Sequence, residues 1–131
     1  MKEEKIKVIM LEPGKTAYLK EVDNTLESLQ REVEGYIEVI YPFEEEICLI
    51  CNEEGKINGM RLNRAIYGEN GDIVDIIAGS AILCGCSEED FSSLNDEQMQ
   101  KYQDIFYYPE QFLFHKEGGG SLIAIEAIKG I

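Results

Sequence analysis

The four cysteines are the residues best suited to holding a metal or cycling electrons: Cys48 and Cys51 form a Cys-x-x-Cys, and Cys84 and Cys86 a Cys-x-Cys. Their number matches a tetrahedral zinc site. Their spacing matches only in part. Zinc knuckles carry each pair on a turn, whereas Leu49 and Ile50 put the first pair inside an apolar strand, where residues three apart face opposite ways. A redox pair would instead open a helix, whose N-terminal dipole lowers a thiol pKa. The context therefore predicts buried core thiols, with zinc or redox use of Cys48, Cys51, Cys84 and Cys86 as the alternative, and no cofactor is expected.

Asn52, Glu53, Asn63 and Arg64 form the most ligand-like polar set. The planar fork of Arg64 suits a carboxylate or phosphate, and the asparagines can read an amide or a base edge. The competing reading gives Asn52 to a turn and Asn63-Arg64 to a strand end. Three carboxylate clusters, Glu44-Glu45-Glu46, Glu53-Glu54 and Glu88-Glu89-Asp90, are either solvated loops or one docking face that imitates the charge spacing of a nucleic acid. His115 is the only histidine. With no nucleophile elbow and no HExxH, it carries no catalytic expectation. Gly118-Gly119-Gly120 lacks the basic and hydroxyl residues that complete a phosphate loop and reads as a flexible loop. Glu69, Asn70, Asp72 and Asp75 lack the ligand order of a calcium hand.

Alternation places these side chains mainly on strands. Ile6, Val8 and Met10 give period two in Lys5 to Leu11, Pro13-Gly14 turns the chain, and Thr16 to Val22 pairs back as a hairpin partner. Capping residues Asp23-Asn24-Thr25, with Leu26, Leu29 and Val33, predict a helix that Gly35 ends in the left-handed conformation. Tyr36 to Tyr41 and Ile47 to Cys51 are strands, and Lys56 to Leu62 is expected to fold back on the latter. Ile73 to Leu83 reads as one central strand, bent or closely packed at Gly79. Asn95 with Gln98, after Leu94, starts a second helix running to about Tyr107. Glu110 to His115 suggests one more helical turn, and Ser121 to Ile128 a last strand.

Composition sets the class. Hydrophobic residues at 44% with few glycines and prolines describe a globular chain of 131 residues, one domain over 1–131. Twenty-six acidic against twelve basic residues give a charge of −14, which repels nucleic-acid backbones and anionic membranes and favours a protein partner over either. The start, Met1-Lys2-Glu3-Glu4-Lys5, lacks the apolar stretch of a secretory signal, so a cytoplasmic protein with reduced thiols is expected.

One ordered series of motifs adds to this reading. Leu11-Glu12-Pro13-Gly14-Lys15, Leu26-Glu27-Ser28-Leu29-Gln30, Val33 to Glu38, Cys51 to Lys56, Leu62-Asn63-Arg64, Ile77 to Ala81 and Phe91 to Gln98 together resemble the domain of unknown function 3846 family. The resemblance spans roughly residues 6–106 and leaves 107–131 as a C-terminal extension. It implies carriage by phages and mobile elements of Gram-positive bacteria and assigns no catalytic or binding residue. The expected fold is α+β, with a mostly antiparallel sheet of five or six strands and two helices on one face. The expected function is a non-catalytic accessory protein that binds a protein partner through the acidic residues Glu44, Glu45, Glu46, Glu88, Glu89 and Asp90. The alternative is binding of a small nucleotide-like ligand.

Overall fold

The computed structural model describes residues 3–116 and 123–130. Period-two alternation in Lys5–Leu11 gives β1, and a turn in which Gly14 takes a φ of +76° returns the chain as β2, Tyr18–Asp23. Helix α1, Leu26–Val33, follows. Its N-cap is Thr25, whose hydroxyl accepts the Ser28 amide at 3.1 Å. At the other end Glu34, not Gly35, takes the left-handed conformation, with φ of 61°. Gly35 has a different reason to be glycine: a Cβ there would lie 2.6 Å from Asn52 Nδ2.

Strands β3 (Ile37–Ile40) and β4 (Ile47–Asn52) come next, then β5 (Leu62–Tyr67), β6 (Ile73–Ala78), β7 (Ala81–Cys86) and the short β8 (Phe91–Ser92). Helix α2, Asp96–Phe106, opens with the expected capping box between Asn95 and Gln98. The described chain ends in a hairpin of β9 (Glu110–Lys116) and β10 (Ile123–Lys129). Glu110 to His115 is thus a strand rather than a helical turn, because pairing with β10 satisfies its backbone. Gly118-Gly119-Gly120 lies outside the described residues.

The main sheet has the order β2-β1-β7-β4-β3, with β8 added along β7, and every pairing is antiparallel. The fold is α+β with a mostly antiparallel sheet, as its alternation predicts. The helices, however, lie on opposite faces rather than one. Leu29 and Val33 of α1 pack with Ile6, Val8, Met10, Cys48, Ile50 and Cys84, while Tyr102 and Phe106 of α2 pack with Ile9, Leu11, Leu49 and Leu83. All six residues of β4 are buried, so both its faces need a cover. With two helices available, each takes one face. A fully buried Leu or Ile is worth about 1.5–3 kcal/mol, which makes these two layers the main source of stability.

Two further expectations are corrected. Residues 73–83 are two strands in two sheets, because Gly79 adopts a φ of +80° and breaks the run. Its amide donates to the Arg61 carbonyl at 2.8 Å, and a Cβ there would meet Met60 Sδ at 2.8 Å. Residues 56–60 form turns, and β5 pairs with β6 rather than β4, since β3 and β7 already occupy both edges of β4.

Candidate functional site

Strand register decides which acidic clusters meet. Ile47 of β4 lies opposite Gly85 of β7, and the Cys86 amide donates to the Glu46 carbonyl at 3.0 Å. The loops 41–46 and 87–90 therefore leave the sheet at the same end. There Glu3, Glu46, Glu88, Glu89, Asp90 and Phe91 line a shallow depression of about 470 Å³. Its floor is held by a Ser87 to Asp90 turn, in which the Ser87 amide donates to the Asp90 carbonyl at 2.9 Å. Ser93 holds the lining residue Glu3, donating its amide and hydroxyl to the Glu3 carboxylate at 3.1 and 2.7 Å. Those bonds hold the Glu3 carboxyl below the usual carboxylate range.

Glu44 is exposed at this end, but Glu45 is tied to α2. Lys101 Nζ and the Tyr102 hydroxyl both donate to Glu45 Oε2, the first at 2.8 Å, and lower its pKa. Glu53-Glu54 emerges from the far end of β4, so the third cluster does not join the other two.

The polar set divides in the same way. Asn52 is buried, and its amide donates to the Val33 and Glu34 carbonyls at 3.0 and 3.2 Å, completing the C-terminus of α1. Its Oδ1 accepts the Glu54 amide at 2.8 Å, which makes the turn anticipated for this asparagine. Exposed Glu53 and Asn52 line a cleft against β6. Asn63 and Arg64 are not in it. Both are 0% exposed. Asn63 donates to the Leu11 and Gly79 carbonyls, each at 2.8 Å.

The Arg64 guanidinium makes four hydrogen bonds: to the Phe106, Glu12 and Lys15 carbonyls at 3.1, 3.3 and 2.7 Å, and to Asn63 Oδ1 at 2.8 Å. It thereby joins the C-terminus of α2, where the helix dipole favours a cation, to the β1–β2 turn. Burial pushes its pKa below the ordinary arginine value, and Glu110 opposes the shift. The fork anticipated for a ligand holds the chain's own carbonyls.

Glu110 itself escaped sequence reasoning. It is 6% exposed, accepts the Ala65 amide at 3.1 Å and the Tyr67 hydroxyl at 2.9 Å, and docks β9 on β5. Its position two residues before Phe112 was the available signal, since both then share one face of a strand.

The cysteines do not converge. Cys48 and Cys84 sit opposite each other on β4 and β7, with sulfurs 3.8 Å apart, on the α1 face with Cys86 beside them. Cys51 lies on the α2 face. Hydrogen bonding to Cys84 and burial drive the Cys48 thiol far above its ordinary pKa, while burial raises Cys51 and Cys86 to about 11 each. Thiols of this kind are poor nucleophiles at neutral pH. Among the described residues no group of three or more His, Cys, Asp or Glu is arranged to hold a metal ion, and no helix is long and apolar enough to cross a membrane. The backbone of His115 pairs with Ala124 in the β9–β10 hairpin.

A family model described as a domain of unknown function, DUF3846, matches residues 6–107, from the second residue of β1 to the residue after α2. No curated protein and no solved structure matches the chain.

Proposed function

The chain belongs to the domain of unknown function 3846 family, and from that premise we propose that it is a non-catalytic, cytoplasmic accessory protein of a phage or mobile element. Its acidic sheet end binds a basic surface on a protein partner. What supports this reading is that the Cys86-to-Glu46 hydrogen bond gathers Glu46, Glu88, Glu89 and Asp90 around one depression. A concave, single-sign surface raises the local concentration of basic groups and speeds their encounter. Four cysteines carried as free thiols support the cytoplasm.

Fluorescence anisotropy with a labelled lysine- and arginine-rich peptide tests the proposal. Two variants of equal charge are compared. One combines Glu46→Gln, Glu88→Gln, Glu89→Gln and Asp90→Asn; the other neutralises exposed acids elsewhere, by Glu21→Gln, Glu27→Gln, Glu53→Gln and Glu54→Gln. Rim charges contribute roughly 0.2–1 kcal/mol each, so the first variant, with four removed, loses about fourfold or more in affinity and most of its salt sensitivity. Equal losses in both variants would reduce the binding to net charge and refute a site.

A further inference from the structure

A second concavity, remote from the acidic sheet end, has a chemistry of its own. It is a cleft of about 240 Å³ between the outer end of the β3–β4 pair, the 53–60 turns and β6. That is slightly below the roughly 300–1,000 Å³ of common ligand pockets and suits a small molecule. Its walls are fixed. Gly55 lies so close to β6 that a Cβ would approach the Ala78 carbonyl to 2.6 Å. The Met60 amide donates to the Gly55 carbonyl at 2.9 Å, the Asn58 amide to the Glu54 carbonyl at 2.8 Å, and Lys56 Nζ bonds Asp75 Oδ1 at 2.6 Å. A pocket prepared in this way loses little entropy on binding.

The lining has one composition throughout. Glu38, Glu53 and Asp75 contribute three carboxylates, and Lys56, already paired with Asp75, is the single cationic side chain. The Asn52 amide, the other strong side-chain donor in the wall, is engaged by the end of α1. The cleft therefore presents acceptors with a formal charge near −2 and has no unpaired side-chain cation for an anion. Beside the carboxylates the lining is apolar: Cys51, Ile76 and Ile77 are buried, and Ile57 stands 84% exposed. Acceptors beside apolar surface match a ligand whose cationic groups are joined by methylenes.

We propose that this cleft binds a small aliphatic polyamine, its ammonium groups held by Glu38, Glu53 and Asp75 and its methylene chain lying across Ile57 and Ile76. An anionic nucleotide, the ligand a free arginine at this site would have suited, meets no unpaired side-chain cation here, because Arg64 is enclosed elsewhere and Lys56 is paired with Asp75.

Isothermal titration calorimetry with 1,4-diaminobutane and spermidine tests this, paired with backbone amide chemical shifts on the full chain. One-to-one saturable binding is expected, with shifts confined to residues 37–39, 51–57 and 75–78. Glu38→Gln, at an exposed position that leaves the fold intact, weakens binding about tenfold, as loss of a charge-assisted hydrogen bond does. Glu88→Gln combined with Glu89→Gln leaves it unchanged. The proposal is overturned by absence of saturable binding, by equal losses in the two sets of variants, by shifts centred on the acidic sheet end, or by adenosine monophosphate binding in the cleft more tightly than the amines.

Discussion

Replacing Glu110 by alanine removes the acceptor for the buried Ala65 amide and for the Tyr67 hydroxyl, and takes away the carboxylate whose charge opposes the desolvation of Arg64. A buried amide left without a partner costs about 1–3 kcal/mol, and the half-exposed Tyr67 hydroxyl about 0.5–1.5 kcal/mol, because water replaces part of that bond. Removing one member of a buried charge pair costs about 3–5 kcal/mol when the two are in direct contact. Arg64 and Glu110 are not hydrogen-bonded to each other, so that contribution falls below the range. The sum for Glu110→Ala is about 2–6 kcal/mol, a large part of the roughly 5–15 kcal/mol of a typical domain.

Glu110→Gln keeps an acceptor for Ala65 and loses only the charge, so about 1–2 kcal/mol is expected. Urea unfolding followed by circular dichroism gives both numbers, and a cycle with Tyr67→Phe isolates the hydroxyl. Hydrogen exchange adds a local readout: the Ala65 amide exchanges faster in the alanine variant than in the glutamine variant. A loss below about 1 kcal/mol for Glu110→Ala, or equal losses for Ala and Gln, would refute the assignment of this carboxylate as the anchor of β9.

Arg64→Met orphans three carbonyls and Asn63 Oδ1 together, and should destabilise by about 4 kcal/mol or more in the same urea assay; Arg64→Lys recovers only part of this, because a single ammonium cannot reproduce the fork. Gly55→Ala drives a Cβ against the Ala78 carbonyl, so the 53–60 turns must move, at a cost of about 1–3 kcal/mol and with amide shifts at residues 75–78. Ellman's reagent at pH 8 should react slowly with Cys86 and reach Cys48 and Cys84, both 0% exposed, only on unfolding. The Glu3 and Glu45 carboxyls are held below their ordinary value of 4.5 in the folded state. Their stabilisation is therefore fully present above pH 4.5 and is lost as the pH falls through the lower folded values; Glu45→Gln should flatten that part of the urea midpoint against pH.

The legible parts of the fold were those where one local pattern met no competitor. Alternation in Lys5 to Leu11 and the Asn95–Gln98 capping box each had a single structural solution, and β1 and α2 follow them. Gly79 was read as a bend because an unbroken apolar run looks the same whether it crosses one sheet or changes sheets; only the positive φ, imposed by tertiary packing, separates the cases. The placement of the helices failed for a similar reason. Period two in β1 identified one apolar face, but Ile9 and Leu11 on the other face are buried by α2. For the site, adjacency in sequence was a poor guide to function. For Asn63 and Arg64 the sequence allows a ligand role beside a strand-end one, because their partners, Leu11, Phe106 and Lys15, are distant in the chain. Glu46 and Glu88 to Asp90 came together through a strand register that no local pattern encodes.

The position of β7 has a bearing on biosynthesis. It lies between β1 and β4, so the two hairpins that precede it, β1–β2 and β3–β4, share no ladder until residues 81–86 have been added. On the ribosome the inner edges of β1 and β4, both rich in isoleucine, are open to any strand that reaches them. Arrival of the seventh strand closes both edges at once, so the sheet is completed late and through long-range pairings, the kind whose loop-closure entropy slows folding.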